Sequence, residues 1–503
     1  MNFPVLSIIT NIPLVAALIL LMLPAQRKNE ARAIALAAAV FALLLSAWVY
    51  FSYDQAAGGY QFIERYNWLP ALGISLYFGV DGMSTPLVLL TGVVMVTGVL
   101  ISWGNDDEHV MSGIQDRPRE FFAFLFILAW GVFGVFVSLD LFMLFFFYEI
   151  AVFPMYLLIV IWGWAVTREY AAMKLTLYLF IGSVIALVGA LAMYFVQYQN
   201  TGMLTFDMLE MEKAGFSASF QNLWFLPVFF GFAVLAGIWP FHNWSPDGHV
   251  AAPTAVSMFH AGVLMKLGAF AALRVGIMLL PEGAKYWQWL LMLVAGVAVV
   301  YGAYIAFVQT DFKYMVGFSS VSHMGLVVLG FSTLNREGLL GSGLQMFSHG
   351  VMTALFFAVV GMIYDRAHTR QIPELGGISQ VMPFATVGFI IGGLVSMGMP
   401  LFSGFVAEFP IFLGVWREQW LVAVISSISI VITAAYILMN VRKVFFGSLP
   451  EQFVGHMSDI TILDKIAITT LCALMILIGL YPNFMVPMME TGVEYILRLL
   501  GAA

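Results

Sequence analysis

Three ionisable residues lie deep within stretches that are otherwise apolar. Glu149 lies in FFFYEIAVFPMYLL, Lys266 in FHAGVLMKLGAFAAL and Glu408 in LFSGFVAEFPIF. A charge near the bilayer centre costs about 2.5–3.5 kcal/mol, and such residues usually mark an ion path, a proton relay or a counter-charge. Their neighbours three and four positions away are apolar or glycine, so any counter-charge must come from another helix. We predict that these residues move protons or cations through a membrane; the alternative is a buried ion pair that fixes helix packing.

Two histidines in successive apolar stretches of the second half extend this set. His323 lies in SSVSHMGLVVLG and His349 in LQMFSHGVMTALFF. An imidazole titrates near neutral pH and can relay protons, although a hydrogen-bonded core residue is the alternative for each. His260, six residues before Lys266, is a further candidate. So is Lys174, one turn inside its helix, unless it only extends to the interface. Serines that would line a water chain lie beside the two histidines: Ser319, Ser320, Ser322 and Ser348.

The composition excludes most soluble and redox-active classes of protein. Of 503 residues, 62% are hydrophobic and only 10% are charged, against about 25% charged in soluble domains. One cysteine, Cys472, rules out disulfides, cysteine-ligated zinc and iron–sulfur clusters within the chain. The sequence contains no HExxH, P-loop or GxGxxG motif, and no basic patch that suggests nucleic acid. Any cofactor of a redox or ATP-driven machine would therefore lie on other subunits.

Recurring apolar runs predict an all-α, polytopic membrane protein with fourteen transmembrane helices. The N-terminal run lacks a basic segment and a clear cleavage site, so we interpret it as the first span. The tail after Pro482 predicts an interfacial amphipathic helix. At about 20 residues per crossing, the predicted spans are 3–23, 32–52, 78–103, 120–137, 139–162, 172–197, 222–241, 254–280, 286–309, 314–334, 342–364, 382–416, 419–443 and 464–482.

Lysine and arginine are distributed unevenly between the two sides of this predicted bundle. Thirteen of the 21 lie at or near the ends of odd-numbered spans, seven lie on the other side, and Lys266 lies within the membrane. Loops rich in lysine and arginine are retained in the cytoplasm. We therefore predict a bacterial inner-membrane protein with both termini on the periplasmic side.

Two of the predicted spans are interrupted. One contains Gly237-Ile-Trp-Pro240, and the other contains Gly398-Met-Pro400 followed by Gly404. Proline inside a helix frees backbone groups, and at membrane depth protein or cavity water must satisfy them. Paired interruptions in two halves of a chain are typical of an inverted-repeat transporter site; ordinary proline kinks are the alternative. The proximity of Glu408 to the second interruption favours a functional site.

Five stretches of the chain resemble the antiporter-like membrane subunits of respiratory complex I. The pattern P-x-H-x-W-x-P-D-x-H-x-x-A-P-T-A and the pattern S-S-V-S-H-M-G are highly specific, although Mrp-type cation antiporters and membrane-bound hydrogenases share them. Among complex I subunits, chain length and Glu408 resemble the M type, the counterpart of mitochondrial subunit 4. The five stretches are FFYEIAVFPMYLLIVIWG, PFHNWSPDGHVAAPTAVSMFHAGVLMKLGAFAALR, QTDFKYMVGFSSVSHMGLVVLG, LQMFSHGVMTALFF and MGMPLFSGFVAEF.

The resemblance implies two inverted five-helix repeats in which helices 7 and 12 are broken. Residues 1–118 would hold helices 1–3, 119–280 the first repeat, 281–443 the second, and 444–503 helix 14 and the tail. It implies a proton-translocating subunit of NADH–quinone oxidoreductase, in which protons pass along hydrated chains. NADH, FMN, iron–sulfur clusters and quinone would bind partner subunits, and L-type and N-type subunits would lie on either side. The residues implied in proton transfer are Glu149, Lys266, Glu408, His323 and His349.

One position departs from the family pattern. Where the family has a lysine that pairs with the helix-5 glutamate, this chain has Leu235. Where the family has a proline two residues later, this chain has Gly237. Glu149 then lacks its expected partner, so either His260 or another group substitutes or the coupling is altered. Two alternatives therefore stay open: a subunit of an Mrp-type antiporter or hydrogenase-linked complex, and a proton-inert scaffold that only bridges membrane subunits.

Overall fold

The computed structural model describes residues 3–103, 114, 117–455 and 457–501, and these residues form a helical bundle. Thirteen described helices are long and apolar enough to cross a membrane. A fourteenth crossing consists of two shorter helices separated by residues 397–402. The predicted all-α, polytopic membrane fold is therefore confirmed, because a segment that spans lipid must pair every backbone group internally, although the bounds of three predicted spans differ from those of the helices.

The helices are numbered in the order in which they occur along the chain. The first half contains α1 (Val5–Met22), α2 (Lys28–Ser52), α3 (Ser84–Ile101), α4 (Pro118–Val137), α5 (Leu141–Trp162), α6 (Arg168–Thr201), α7 (Met208–Met211), α8 (Ala218–Ala236), α9 (Trp244–Ala251) and α10 (Thr254–Ile277). The second half contains α11 (Pro281–Val308), α12 (Phe312–Ser332), α13 (Arg336–Ala367), α14 (Pro383–Ser396), α15 (Ser403–Glu418), α16 (Trp420–Phe445), α17 (Ile462–Leu480) and α18 (Val486–Leu499).

Burial separates the helices into a centre and a periphery. The most apolar windows of α10 and α13 are completely buried, and those of α12 and α3 nearly so. By contrast, only about a third of the corresponding windows of α2 and α16 is buried, so their apolar side chains face outward, as lipid allows. The helices that carry Lys266, His323 and His349 are therefore central ones, where a polar side chain can find partners from several neighbours.

The two interrupted spans are broken helices. Helix α8 ends at Gly237, whose φ of +71° is left-handed, and the chain re-enters as the short helix α9. The prediction of a single span over 222–241 therefore runs past the true end of the helix. Likewise α14 ends before Gly398, at φ +64°, and α15 begins at Ser403, so the predicted span 382–416 is two helices. Glycine adopts positive φ readily, which explains why both breaks occur where they do.

Cations hold the short helix α9 in place. The Lys313 ammonium donates to the Ala252 carbonyl at 2.9 Å, and the Arg370 guanidinium donates to the Val250 carbonyl at 3.1 Å. Positive charge at a helix C-terminus is favourable because the last carbonyls are unpaired and carry partial negative charge. Arg370 also pairs with Asp311 at 2.6 Å and lies over the Trp164 ring at 3.9 Å. We call the end of the bundle that carries Lys313 and Arg370 the basic end.

The other end of the bundle carries a β-hairpin that the apolar runs did not predict. Strands β1 (Gln61–Leu69) and β2 (Ile74–Val80) pair antiparallel. The predicted span 78–103 consequently starts too early, because residues 78–80 belong to β2 and α3 begins at Ser84. Asp140 links the hairpin to α5, since its side chain accepts from the Ser75 and Met143 amides at 2.9 and 3.1 Å.

The predicted amphipathic tail is a helix. In α18 the buried side chains are Met488, Met489, Val493, Ile496 and Leu497, which recur at helical spacing on one face. Its location at the membrane interface stays a prediction.

Candidate functional site

Lys266 lies at the centre of the bundle, near the middle of α10. Its side chain is fully buried, and Nζ donates to the Ala261 carbonyl at 2.6 Å and contacts Nδ1 of His349 on α13 at 2.9 Å. Just before it, residues His260–Leu264 form a π-helical turn, a distortion that is frequent at functional sites. In the described part of the chain no carboxylate lies within ion-pair distance of Lys266. An imidazole and a carbonyl therefore solvate the Lys266 amine, and the imidazole is a group with which it can exchange a proton.

Two histidines connect Lys266 to Glu408. The rings of His349 and His323 are stacked, with centroids 5.3 Å apart. His323 Nδ1 then lies 3.1 Å from a Glu408 carboxylate oxygen, and its Nε2 lies 3.0 Å from the Ser396 hydroxyl. Lys266, His349, His323 and Glu408 are thus a continuous row of buried titratable groups, contributed by α10, α13, α12 and α15. We call these four residues the central row.

Gln345 gives the row two alternative hydrogen-bond arrangements. Its side-chain Nε2 lies 3.1 Å from the Glu408 carboxylate and 3.2 Å from Nδ1 of His323. A neutral Nδ1 either donates its proton to Glu408 or accepts one from Gln345, because one ring nitrogen cannot do both. When Nδ1 changes from donor to acceptor, its hydrogen-bond partner therefore changes from Glu408 to Gln345. Sequence reasoning missed Gln345, although it lies one helical turn before His349 in a buried helix.

Hydroxyl groups surround the Glu408 end of the row. Ser348 on α13 lies 2.7 Å from Ser403, the first residue of α15 after the second break. Ser319 on α12 lies 2.8 Å from the Tyr436 hydroxyl on α16. The sequence predicted serines beside the two histidines, but it gave no signal for Ser396, Ser403 or Tyr436, which come from three other helices. These hydroxyls add polar groups to an otherwise apolar bundle, and Ser396 contacts the row directly through His323.

Several buried polar atoms beside the row have no hydrogen-bond partner among the described residues. They include His349 Nε2, Gln345 Oε1 and Thr353 Oγ1. A buried polar atom without a partner costs roughly 1–3 kcal/mol, and clusters of such atoms are the sites that ordered water occupies. The row therefore has the polar lining that a hydrated proton path requires.

Lys174 forms a separate ion pair at the basic end. Its ammonium lies 2.8 Å from the Asp247 carboxylate on α9, whose other oxygen accepts from the Tyr314 hydroxyl at 2.8 Å. Lys174 thus has a definite partner at this end of the bundle, and its part in proton transfer stays a prediction. Asp247 was contained in the P-D-x-H pattern but was not singled out as a site residue.

Glu149 lies apart from the central row. It is exposed at the surface of the chain, in an apolar groove of about 620 Å³ between α4, α5 and α6 that Ser183 also lines. No cation pairs with it among the described residues. Leu235, at the position of the expected lysine, is fully buried, and Phe232 one turn earlier packs on Phe145 of α5 at 5.1 Å. Leu235 is thus an apolar core residue of α8, and its backbone lies against Gly268 of α10.

A second buried ion pair closes the bundle at the hairpin end. Arg274, at the far end of α10 from His260, pairs with Asp81 and donates to the Tyr60 hydroxyl at 2.7 Å. Both charged side chains are almost completely buried. A buried pair of this kind holds elements together and penalises the loss of either partner. The pair lies on the hairpin side of Lys266. Neither Arg274 nor Asp81 was predicted from the sequence as a site residue.

Comparison with known proteins agrees with this arrangement. The family model described as NADH:quinone oxidoreductase/Mrp antiporter, transmembrane, matches residues 138–433. NADH-quinone oxidoreductase subunit M of Rhodobacter capsulatus is 36% identical, over 98% of this chain and 96% of its own length. A chain of respiratory complex I from Thermus thermophilus with bound NADH is 25% identical with a TM-score of 0.88, covering 99% of this chain and 100% of that chain.

The fold alone also matches a chain of the Mrp complex from Dietzia sp. DQ12-45-1b, with a TM-score of 0.86 and 19% identity. The match covers 100% of both chains. The family match spans both broken helices and all four residues of the central row. This chain belongs to the family of transmembrane subunits shared by NADH:quinone oxidoreductases and Mrp antiporters.

Proposed function

We propose that this chain is the M-type, proton-translocating subunit in the membrane arm of an NADH–quinone oxidoreductase. The observation that carries the proposal is the central row, a series of buried titratable groups that runs from the middle of α10 to Glu408, beside the second break. The 36% identity to a subunit M along nearly the whole chain supports this complex as the setting. Quinone reduction elsewhere in the complex would drive the protons.

Each member of the row has a role that follows from its contacts. Lys266 would hold a proton that His349 accepts at the contacting nitrogen, 2.9 Å away. His323 would relay it to Glu408 across 3.1 Å, and Glu408 would release it through the hydroxyl groups around it. Lys174 and Asp247 would form the entrance at the basic end. An imidazole can accept a proton at one nitrogen and release one from the other, so it suits the middle positions.

The proposal also includes the setting of the chain. NADH, FMN, iron–sulfur clusters and quinone would bind partner subunits, and L-type and N-type antiporter-like subunits would flank this one. The basic end would face the cytoplasm of a bacterium, with both termini on the periplasmic side, because loops rich in lysine and arginine are retained inside. The residue ranges predicted for the two repeats, 119–280 and 281–443, are part of the same proposal.

The test is the variant Lys266→Ala in the purified, assembled complex reconstituted into vesicles. We expect most proton pumping per electron to be lost, because a central relay site is gone, while NADH oxidation by a soluble artificial acceptor continues. Lys285→Ala is the matched control, since Lys285 is a half-exposed lysine at the start of α11 that pairs only locally with Glu282. Unchanged pumping stoichiometry in an intact Lys266→Ala complex would show that the relay role is wrong.

Two other functions each have one observation in their favour. The fold match to an Mrp complex chain favours a cation antiporter. The presence of Leu235 in place of the lysine expected to pair with Glu149 favours a proton-inert scaffold. Co-purification separates them from the main proposal. NADH-oxidising subunits support the oxidoreductase, antiporter partners without such subunits support the first alternative, and pumping that survives Lys266→Ala supports the second.

A further inference from the structure

Gln345 is a buried neutral residue that contacts the last two members of the central row. It is 2% exposed and lies one helical turn before His349 on α13. Its Nε2 lies 3.1 Å from Oε1 of Glu408 and 3.2 Å from Nδ1 of His323, and those two atoms lie 3.1 Å from each other. Three polar atoms from three helices therefore form a closed triangle, with the amide donor of Gln345 at one corner.

Close contact between two helix backbones holds Gln345 in this position. One turn before it on α13, a Cβ at Gly341 would lie 2.7 Å from the Ile411 amide nitrogen and 2.8 Å from the Ala407 carbonyl oxygen of α15. Glycine allows an approach this close because it has no Cβ. Ala407 directly precedes Glu408, so the packing of α13 on α15 sets the distance between the amide and the carboxylate.

The N–H of Gln345 has a partner both before and after a proton moves within the triangle. Nδ1 of His323 is a donor when it carries a proton and an acceptor when it does not. While it carries the proton, it donates to Glu408, and Gln345 donates to the same carboxylate oxygen. Once the proton is on Glu408, Nδ1 is bare and accepts from Gln345. The amide therefore stabilises each protonation state of the pair in turn.

The second carboxylate oxygen of Glu408 lies on the side of the break. A Cβ at Gly398 would lie 3.0 Å from this oxygen, Oε2, and Gly398 adopts the φ of +64° that ends α14. Glu408 thus contacts the row through Oε1 and the second break through Oε2. A proton accepted on Oε1 reaches the break by a half-turn of the carboxylic acid, which requires that its hydrogen bond to Nδ1 first be broken.

We propose that Gln345 is a positioning residue that separates Glu408 from His323 after a proton has passed between them. The inference rests on the proposed function and concerns one step of it. A doubly protonated His323 gives its Nδ1 proton to Oε1 of Glu408, so an imidazolium and a carboxylate become a neutral imidazole and a carboxylic acid, and charge and atoms balance. Gln345 then donates to the bare Nδ1 in place of the acid, and the acid is free to turn toward the break.

Gln345→Met tests this role, because methionine keeps the length of the unbranched side chain and removes the N–H donor. In the purified, assembled complex we expect pumping and coupled quinone reduction to fall about fivefold, the usual effect of one hydrogen bond on an equilibrium. Gln345→Leu also lacks the donor, so it should show the same loss, and it replaces the methionine variant if that one does not assemble. Gln197→Met on α6 is the matched control, since Gln197 is equally buried and its Oε1 likewise has no partner among the described residues.

Infrared difference spectra at pH 7 give a readout that a packing role would not change. In the wild-type complex, turnover with NADH and quinone should produce a carboxylic acid band of Glu408, which Glu408→Gln assigns. In Gln345→Met this band should weaken about fivefold, because without the amide the proton stays shared between Oε1 and Nδ1. Gln197→Met should leave both the band and the activity unchanged.

Every outcome other than a joint loss of activity and band contradicts the positioning role. Wild-type activity in Gln345→Met shows that the pair separates without the amide, and reduced activity with an unchanged band shows that Gln345 only packs. The role also fails if the wild-type complex shows no Glu408 band.

Lys266→Ala, measured in the same assembled complex, separates failure of this inference from failure of the proposed function. If Lys266→Ala abolishes pumping and Gln345→Met does not lower it, the positioning role is wrong and the proposed function stands. If Lys266→Ala pumps normally, the proposed function is wrong, and the role inferred for Gln345 is wrong with it.

Discussion

The residues that contact Glu408 indicate which chemistry its carboxylate can perform. Its carboxylate contacts an imidazole and an amide, His323 and Gln345, and no lysine or arginine pairs with it among the described residues. A permanent cation would hold a carboxylate ionised, whereas these partners tolerate both of its protonation states. The contacts at Glu408 therefore suit a group that gains and loses a proton during turnover.

Glu408→Gln tests this interpretation, because the amide keeps the shape of the side chain and removes its charge. We expect coupled quinone reductase activity to fall strongly, by about tenfold or more, with the complex still assembled. Glu418→Gln is the matched control, at the exposed end of the same helix. Wild-type activity in the Glu408→Gln variant would show that Glu408 only packs and does not transfer protons.

Leu235→Lys tests the isolation of Glu149. The carboxyl group lies in an apolar groove, and no cation among the described residues pairs with it to offset its desolvation. We therefore expect Glu149 to be largely protonated at neutral pH and to ionise when a lysine is introduced at position 235. The measurement is infrared spectroscopy at pH 7, with Glu149→Gln to assign the carboxylic acid band. If the band is already missing before Leu235 is replaced, another group supplies the counter-charge.

Residue types in the sequence were enough to select the members of the central row but not their contacts. A lysine, a glutamate and two histidines in apolar stretches are unusual whatever the fold. Their order in space depends on four helices separated by up to 142 positions, from Lys266 to Glu408, and no local pattern encodes it. Gln345 and Ser396 escaped notice because neutral polar residues are common in membrane helices.

Among the helices and strands, the breaks could be located from glycine and proline, whereas the hairpin could not. Gly237 and Gly398 adopt the positive φ that ends α8 and α14. Strand β2 is an apolar run that continues into α3, and such a run has no period that separates a buried strand from a helix. The start of α3 is fixed instead by Asp81, which accepts from the amides of Met83 and Ser84.

Glu212 provides a pH-dependent test of how α7 and α18 are joined. It follows α7 and accepts a hydrogen bond from Tyr495 of α18 at 2.5 Å. Burial raises the pKa of Glu212 to about 6, opposed by Tyr495 and Arg274. Since an unfolded glutamate has a pKa of about 4.3, the stabilisation of the protonated form is fully present below that pH and is lost as the pH rises through about 6.

We therefore expect Glu212→Gln to match the wild-type protein near pH 4.3 and to be more stable at pH 7.5, by about 2 kcal/mol. Thermal unfolding of the detergent-solubilised complex at a series of pH values measures this difference. Glu494→Gln, at an exposed position of α18, is the matched control. A difference between Glu212→Gln and wild type that does not change with pH would contradict the buried carboxylate.

On the scale of the whole molecule, the distribution of lysine and arginine predicts the orientation in the membrane. The chain has one cysteine, the buried Cys472, so Cys472→Ser yields a cysteine-free background. Val166, at the basic end, and Lys285, at the opposite end, are accessible positions. We expect a membrane-impermeant maleimide to label Lys285→Cys in intact cells and Val166→Cys only after permeabilisation. The reverse pattern would place the basic end outside.

The overall architecture was the part best predicted from the sequence, because the bilayer restricts spanning segments to helices of known length. Fourteen crossings and the tail helix α18 agree with that expectation. Which helices are central could not be read from hydropathy, since α10 and α2 are both apolar, yet one is wholly buried and the other faces outward. Packing between distant segments decides burial, and it is specified by the three-dimensional fit of side chains rather than by average polarity.

The depth of the central row has an electrical consequence. Lys266, His349 and His323 each lie near the middle of their helices, and Glu408 contacts His323 directly. A proton that moves along this row travels parallel to the membrane plane, so it crosses almost none of the transmembrane voltage. Moving one elementary charge across the whole membrane requires about 2.3 kcal/mol per 100 mV. Nearly all of that work must therefore be done between the row and the two surfaces, so a membrane potential should slow proton entry and release while leaving the transfers from Lys266 to Glu408 almost unchanged.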